Sequence, residues 1–497
     1  MKKLFTLTLV LTSVILVKAQ LSVVSGTTLF VTNANDLSAQ DAINNNGTIT
    51  NLTISGTNAQ NITGIGTINN LVVNKASGIA TCVSGMQSIT GAYTPTAGVL
   101  AAGGFVTLKS DATSTARIAQ GSTSGGYITG DVIVERYIPA SKRGFRFLSP
   151  GVTTTNFIKA NWQEGQNNTS TSSNSNTLAG YGTHITGSLT GLNGFDATQS
   201  GNQSMYEFNN ATQAWGAISN TNATNLVAGN AYRILVRGSR AIDLTATVTP
   251  TPDATTLRAT GALLTGNVTF ANTGSTPSTL PSLANNANDY SFIGNPYASP
   301  IDWSTVSKTE LTGFYYIWDP TLATRGAYVS CNSSGIKNNA SSAVTTAIQP
   351  GQAFFVQNSS NTASRQLIIA ETDKTTGNTN VFRTLTGTSI LGINLFLTNS
   401  LSNNGTSQDG ATVLFNSSYS NMVNDDDAGK FVNQDENIAI QRANSLMSIE
   451  SRNVPVTPRD TVQLKIWQMA QNNYTLRLNA SDFPTNLNAY LQDSYLN

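Results

Sequence analysis

The chain has 497 residues, of which only 11% are charged, with 27 Lys and Arg against 26 Asp and Glu and a single His. A net charge of +1 offers no basic patch, which excludes nucleic acid and anionic membranes as expected partners. One imidazole and two Cys leave too few ligands for an ordinary zinc site or a disulfide scaffold, so no cofactor is expected beyond a structural ion.

Lys2 and Lys3 precede an apolar run, Leu4 to Val17, and Val17-Lys18-Ala19 offers a small-residue cleavage site. This pattern predicts a signal peptide over residues 1–19 and a mature start at Gln20. The run is short for a bilayer span and turns polar at once, so no transmembrane anchor is expected after cleavage. The implied location is secreted, extracellular or on the outer cell surface.

The next segment repeats. Gly47-Thr48-Ile49-Thr50-Asn51-Leu52-Thr53-Ile54 recurs as Gly66-Thr67-Ile68-Asn69-Asn70-Leu71-Val72-Val73, a period of 19. Such a period suits coils that each stack a strand on the last, and it predicts a short parallel β-solenoid over residues 20–130. A hairpin-rich sandwich with chance similarity is the alternative. Between Gln20 and Thr115 the charged residues are Asp36, Asp41, Lys75, Lys109 and Asp111, with no spacing that gathers them on one face. An active groove of clustered acids is therefore not expected there.

From residue 131 the texture changes, and a β-sandwich-like domain is predicted over 131–375. Its expected strands are Val132 to Tyr137, Tyr206 to Phe208, Ala231 to Val236, Ala241 to Thr245, Ser291 to Gly294, Phe314 to Trp318 and Ala353 to Val356, separated by Gly, Pro and Asn turns. Gln166 to Thr177, rich in Asn, Ser and Thr, reads as a flexible surface excursion. A linker-like stretch at Lys374 to Asn380 opens a second β-sandwich-like domain over 376–497, with strands at Ile393–Leu397, Thr412–Phe415, Ile438–Gln441, Thr461–Trp467 and Tyr474–Leu478. Strand-like residues run to Asn497, which reads as a truncated domain. The predicted class is thus all-β, a short parallel β-solenoid followed by two β-sandwich-like modules. Cys82 and Cys331 fall in different predicted domains, so two isolated buried thiols are a simpler expectation than a disulfide.

Little of this carries reaction chemistry. His184 lacks an accompanying nucleophile elbow in strand–helix context and reads as a loop or sheet-face residue. Tyr297, Trp303 and Trp318 could build an aromatic platform for sugar rings, or fill a sandwich core. Asp425, Asp426 and Asp427 form the densest acidic run and could supply oxygen ligands to a structural Ca2+, or form a solvated turn. The run is not an EF-hand, because its Gly stands at the wrong offset.

Several segments from residue 131 onward, in order, carry a resemblance. They are Val132–Pro139, Arg146-Phe147-Leu148, Tyr232–Arg240, Thr256–Gly261, Gly294–Pro300, Trp318–Gly326, Gln349–Val356, Asp425–Lys430 and Leu487–Asn497. With them the chain resembles large secreted surface proteins of Bacteroidetes-type bacteria, which often carry a C-terminal sorting domain for type IX secretion. The resemblance implies surface display with an adhesive or structural role and supplies no catalytic residues. The sequence departs from that pattern in ending without a sorting domain.

The expected function is therefore a non-enzymatic secreted or cell-surface protein meeting glycans or other cell-surface components. The alternative is a carbohydrate-binding module or the non-catalytic part of a polysaccharide-degrading protein. A glycosidase would further require two facing carboxylates about 5–10 Å apart.

Overall fold

The structure is a computed structural model that describes residues 20–493 apart from 34–35, 175, 247, 249, 360–363, 378–387, 456–458, 484–487 and 489. The predicted leader, the end of the linker at 378–380 and the last four residues lie outside the described residues. The chain is all-β: among the described residues the α-helix is a single short element, Thr398–Ser402, and the rest is strands, turns and three short 3-10 segments. No helix among the described residues is long and apolar enough to cross a membrane.

The 19-residue repeat is a physical register. Thr48–Gly56 pairs in parallel with Thr67–Cys82, setting Ile49 beside Ile68, Leu52 beside Leu71 and Ile54 beside Val73. These six side chains are at most 3% exposed and share one core with Tyr93 and Leu100 of the next strand, Ala92–Ala101. Like positions stack on like, so each apolar residue covers its counterpart and removes both from water. Between the rows an amide ladder forms. Asn70 Nδ2 donates to Asn51 Oδ1 at 2.9 Å, and Asn70 Oδ1 accepts from the Ala92 amide at 3.1 Å. The repeated glycines have a packing reason. A Cβ on Gly47 would stand 2.6 Å from the Thr27 carbonyl oxygen, and one on Gly66 would stand 2.3 Å from Asn45 Nδ2.

Two compact units make up the chain, residues 1–311 with 347–379, and residues 312–346 with 380–497. The first unit crosses the domain boundary expected near 130, and the strand pairing gives the reason. Val132–Ile138 lies parallel to Val106–Leu108 of the repeat sheet on one edge and antiparallel to Thr255–Ala262 on the other. The repeat sheet therefore runs on into the segment that follows it. A separate four-stranded antiparallel sheet holds Gly144–Leu148, Tyr232–Val236, Met205–Asn209 and Ala214–Ala217 in that order.

Residues 312–346, expected within the middle domain, group instead with the C-terminal part. Their hairpin, Leu311–Asp319 with Ala327–Asn332, is held by polar bonds. The Tyr328 amide donates to Asn433 Oδ1, the Ser330 and Ser448 hydroxyls lie 2.7 Å apart, and Asn338 Nδ2 donates to the Gly410 carbonyl. The rest of this unit is one seven-stranded sheet. Ser389–Leu397 lies between Tyr474–Ser481 and Asp409–Phe415, and Ser445–Arg452 follows in parallel with the last of these. Ile393, Leu395, Val413, Ile438, Ile440 and Met447 fill its core.

Two local expectations fail. Ala241–Thr245 is turns rather than a strand, because Asp243 Oδ1 accepts both the Thr245 amide and its hydroxyl and closes the chain on itself. The excursion at 166–177 is anchored at its start, since Asn167 and Asn168 are buried and Asn167 Nδ2 donates to the Gly191 and Phe195 carbonyls.

Candidate functional site

Glycine, proline and small polar residues beside the Ala92–Ala101 strand leave an open groove of about 670 Å³ in the first unit. Its wall includes Thr94, Thr96, Ala97, Gln120, Ser122 and Tyr127, and none of the lining residues is charged. Thr96, Ala97, Gln120 and Ser122 are exposed, whereas Tyr127 is 5% exposed.

Tyr127 is held from behind by a buried ion pair. Its hydroxyl donates to Glu371 Oε1 at 2.7 Å and accepts from Lys374 Nζ at 2.9 Å. Lys374 Nζ also lies 2.8 Å from Glu371 Oε2 and 4.4 Å from the Tyr297 ring centre. The Gly266 amide completes Oε1 and the Gly121 amide completes Oε2, so both carboxylate oxygens are satisfied. Burial pushes the Lys374 ammonium below its usual value against the opposing charge of Glu371. This set ties the groove's Gly121–Tyr127 loop to chain more than two hundred residues later, which makes the wall rigid.

A second buried constellation surrounds the single imidazole. His184 is fully buried in irregular chain, where a loop or sheet face was expected. Its Nε2 lies 3.1 Å from the Arg240 carbonyl and 2.9 Å from that of Ile242, both acceptors, so this nitrogen carries a hydrogen. Nδ1 lies 3.2 Å from Asp196 Oδ1, and the Arg240 guanidinium grips the same carboxylate with NH1 at 3.0 Å and NH2 at 2.9 Å. The amides of Asn168 and Ile185 and the Gln163 side chain donate to it as well. Burial alone would push the Asp196 carboxyl up, but the hydrogen bonds and charges of His184 and Arg240 outweigh it and hold the group down at about 2. With His184, Asp196 and Arg240 all closed to solvent, the set is a clamp that joins the short strand Asp196–Ala197 to two irregular segments.

The aromatic residues singled out from the sequence are buried, which corrects the platform reading. Tyr297 is 1% exposed and donates its hydroxyl to the Gly266 and Ile369 carbonyls. Trp303 is fully buried against Phe354, with Lys308 Nζ 4.2 Å from its ring centre. Trp318, in the second unit, is 5% exposed and packs edge-on against Tyr328. Buried rings offer no face for a sugar. Half-buried rings lie elsewhere, at Phe145, Tyr206 and Trp215 around Arg233, whose guanidinium stands 4.0, 5.9 and 5.3 Å from their centres. Alternation along Tyr232–Val236 was the sequence signal for this stripe, because it turns Arg233 and Leu235 to the face opposite Tyr232 and Ile234.

In the acidic run, Asp425 and Asp426 are exposed while Asp427 turns inward. Its Oδ2 accepts the Asn424 amide and its Oδ1 the Ser451 amide, and burial pushes the carboxyl up to about 6. This separates the three acids that a Ca2+ ion would need together. No group of three or more His, Cys, Asp or Glu side chains placed to hold a metal occurs among the described residues. Cys82 and Cys331 are free and buried, and burial pushes both thiols up to about 12.

Residues 156–497, more than half of the chain, match a domain of unknown function, DUF8693. The chain belongs to this family. The DUF8693 segment holds the His184 clamp, the Glu371–Lys374 pair and the whole second unit, while the repeat and the groove wall precede it. No curated protein and no solved structure gives a significant match.

Proposed function

We propose that the chain is a non-enzymatic secreted or cell-surface protein with an adhesive or structural role, and that its groove takes a neutral glycan of a cell surface. The observation that carries this reading is the uncharged groove wall, open at Thr96, Ala97, Gln120 and Ser122 and braced by the buried Glu371–Lys374 pair. Hydroxyl, amide and backbone groups on a rigid wall suit a polyhydroxyl chain and give little purchase to a charged one. The in-register pairing of the 19-residue copies supports a short solenoid as the support for this wall. The leader-like start supports export, and the resemblance to type IX-secreted surface proteins supports display on the outer surface.

A second reading, a carbohydrate-binding module, is favoured by the half-buried rings of Phe145, Tyr206 and Trp215, which suit stacking on sugar faces. One experiment separates the two. The exported chain is applied to an array of neutral glycans beside the variants Ala97→Trp, which fills the groove, and Phe145→Ala, which opens the stripe. Loss of binding with Ala97→Trp alone supports the groove, and loss with Phe145→Ala alone supports the stripe. A wild-type chain that retains no neutral glycan overturns both.

A further inference from the structure

Asp409 and Lys430 lie in the second unit, with side chains 0% and 1% exposed and Nζ 2.5 Å from Oδ2. Asp409 opens the strand Asp409–Phe415, which lies between Ser389–Leu397 and Ser445–Arg452. Lys430 directly follows the short strand Ala428–Gly429, and its amide donates to the Leu446 carbonyl on the far side of Ser445–Arg452. The two side chains therefore meet from opposite sides of Ser445–Arg452, inside the sheet's apolar interior beside Ile438.

Two buried ion pairs of the first unit are well supplied with partners, and this one is not. Glu371 receives two amides, a phenol and an ammonium, and Asp196 receives a guanidinium, a carboxamide and two amides. Asp409 Oδ2 accepts the Lys430 ammonium and the Ile438 amide at 2.7 Å, and the neighbouring Gly410 amide also favours the carboxylate, whereas Oδ1 is buried without a hydrogen bond of good geometry. Lys430 Nζ finds one acceptor among the described residues. An ammonium with three hydrogens and a carboxylate with two oxygens are costly to bury so incompletely. An amide in their place has one N–H and one carbonyl oxygen, and the Ile438 amide already supplies the donor for that oxygen.

We infer that Lys430 and Asp409 condense into an intramolecular isopeptide bond. The ammonium first passes one proton to the carboxylate, leaving a neutral amine and a carboxylic acid. Burial raises the Asp409 carboxyl, which favours its protonated form. Nζ then attacks Cγ, the Nζ–Cγ bond forms and the Cγ–Oδ1 bond breaks. In the tetrahedral adduct the acid proton, first taken up on Oδ2 where Nζ makes its contact, and a second proton from Nζ pass to Oδ1, which leaves as water. Oδ2 remains as the amide oxygen under the Ile438 amide. No oxidant, metal or activated co-reactant is consumed. The product ties the central strand to the segment beyond Ser445–Arg452, a covalent brace suited to a protein that bears load at a surface, although the chemistry does not depend on the groove reading.

The test is mass spectrometry of the purified full chain after denaturation, both intact and as tryptic peptides. The expected result is a mass one water below that of the mature sequence, no cleavage after Lys430, and a branched peptide joining the Asp409 and Lys430 segments. Lys430→Arg and Asp409→Ala each restore the full sequence mass, while Lys465→Arg, at an exposed lysine of the same sheet, keeps the deficit. A wild-type chain at full sequence mass, cleaved after Lys430 with no branched peptide, overturns the inference even if the two variants fail to fold.

Discussion

The repeat sheet and the C-terminal sheet solve the same problem with different chemistry. In the repeat, stacked Ile, Leu and Val rows exclude water, and neutral amides such as Asn51 and Asn70 bond from row to row. In the C-terminal sheet, charges enter the interior: Asp409 meets Lys430, and Glu450 lies between Arg442 and Arg452. Register offers a reason for the difference. A parallel repeat sets each residue beside its own counterpart, so a buried charge there would face a like charge, whereas antiparallel and mixed pairing can bring opposite charges together. Lys75 shows how the repeat treats an exception, since its ammonium is buried on the neutral acceptors Asn58 O and Gln60 Oε1. Scarcity of charge is thus strongest where the architecture repeats, and many of the remaining charges act as internal ties.

The contrast can be broken most forcefully at an ionic tie. Arg240→Ala removes the guanidinium from the buried Asp196 carboxylate and is expected to cost about 3–5 kcal/mol in urea unfolding. In the repeat, Leu71→Ala removes a 3%-exposed side chain from between stacked neighbours and is expected to cost about 2–5 kcal/mol, without any dependence on salt. The pH dependence comes next. Asp196 is held at about 2, below its ordinary 3.8, so its contribution is present above about pH 4 and lost as pH falls through that range toward 2. Acid titration of the first unit is expected to show a loss of roughly 2 kcal/mol that is absent in Asp196→Asn. Asn70→Ala interrupts one step of the amide ladder and is expected to cost about 1 kcal/mol. The smallest effect belongs to Asp426→Asn, an exposed turn position, expected within about 0.5 kcal/mol of wild type with no Ca2+-dependent change in Tm.

Legibility in the sequence followed the same division. The period of 19 showed directly in the letters because identical environments select similar residues at Ile49 and Ile68 or Leu52 and Leu71, and the register repeats that spacing. Strands with apolar alternation, such as Tyr232–Val236 and Asn437–Arg442, were also readable. Ser445–Arg452 was not, since Ser448, Glu450 and Arg452 are buried yet polar, and their partners Ala428, Arg442 and Asp460 lie on other segments. Long-range pairing likewise hid the grouping of residues 312–346 with the C-terminal unit, which rests on bonds such as Asn338 to Gly410. For the site, His184 was legible only as a lone imidazole, because Arg240 reaches it from a turn and Asp196 from a two-residue strand, both too short to carry a periodicity. Tyr297, Trp303 and Trp318 misled for the opposite reason: a large ring beside a turn fits a core as well as a surface, and burial decides between them.

Neutral display through the groove is tested most directly by measuring glycan binding at low and high salt. The exported chain is expected to hold a neutral glycan with an affinity that does not change with ionic strength, to release it intact, and to lose it in Ala97→Trp. Binding confined to charged glycans and abolished by salt, or recovery of a cleaved glycan, would contradict the account.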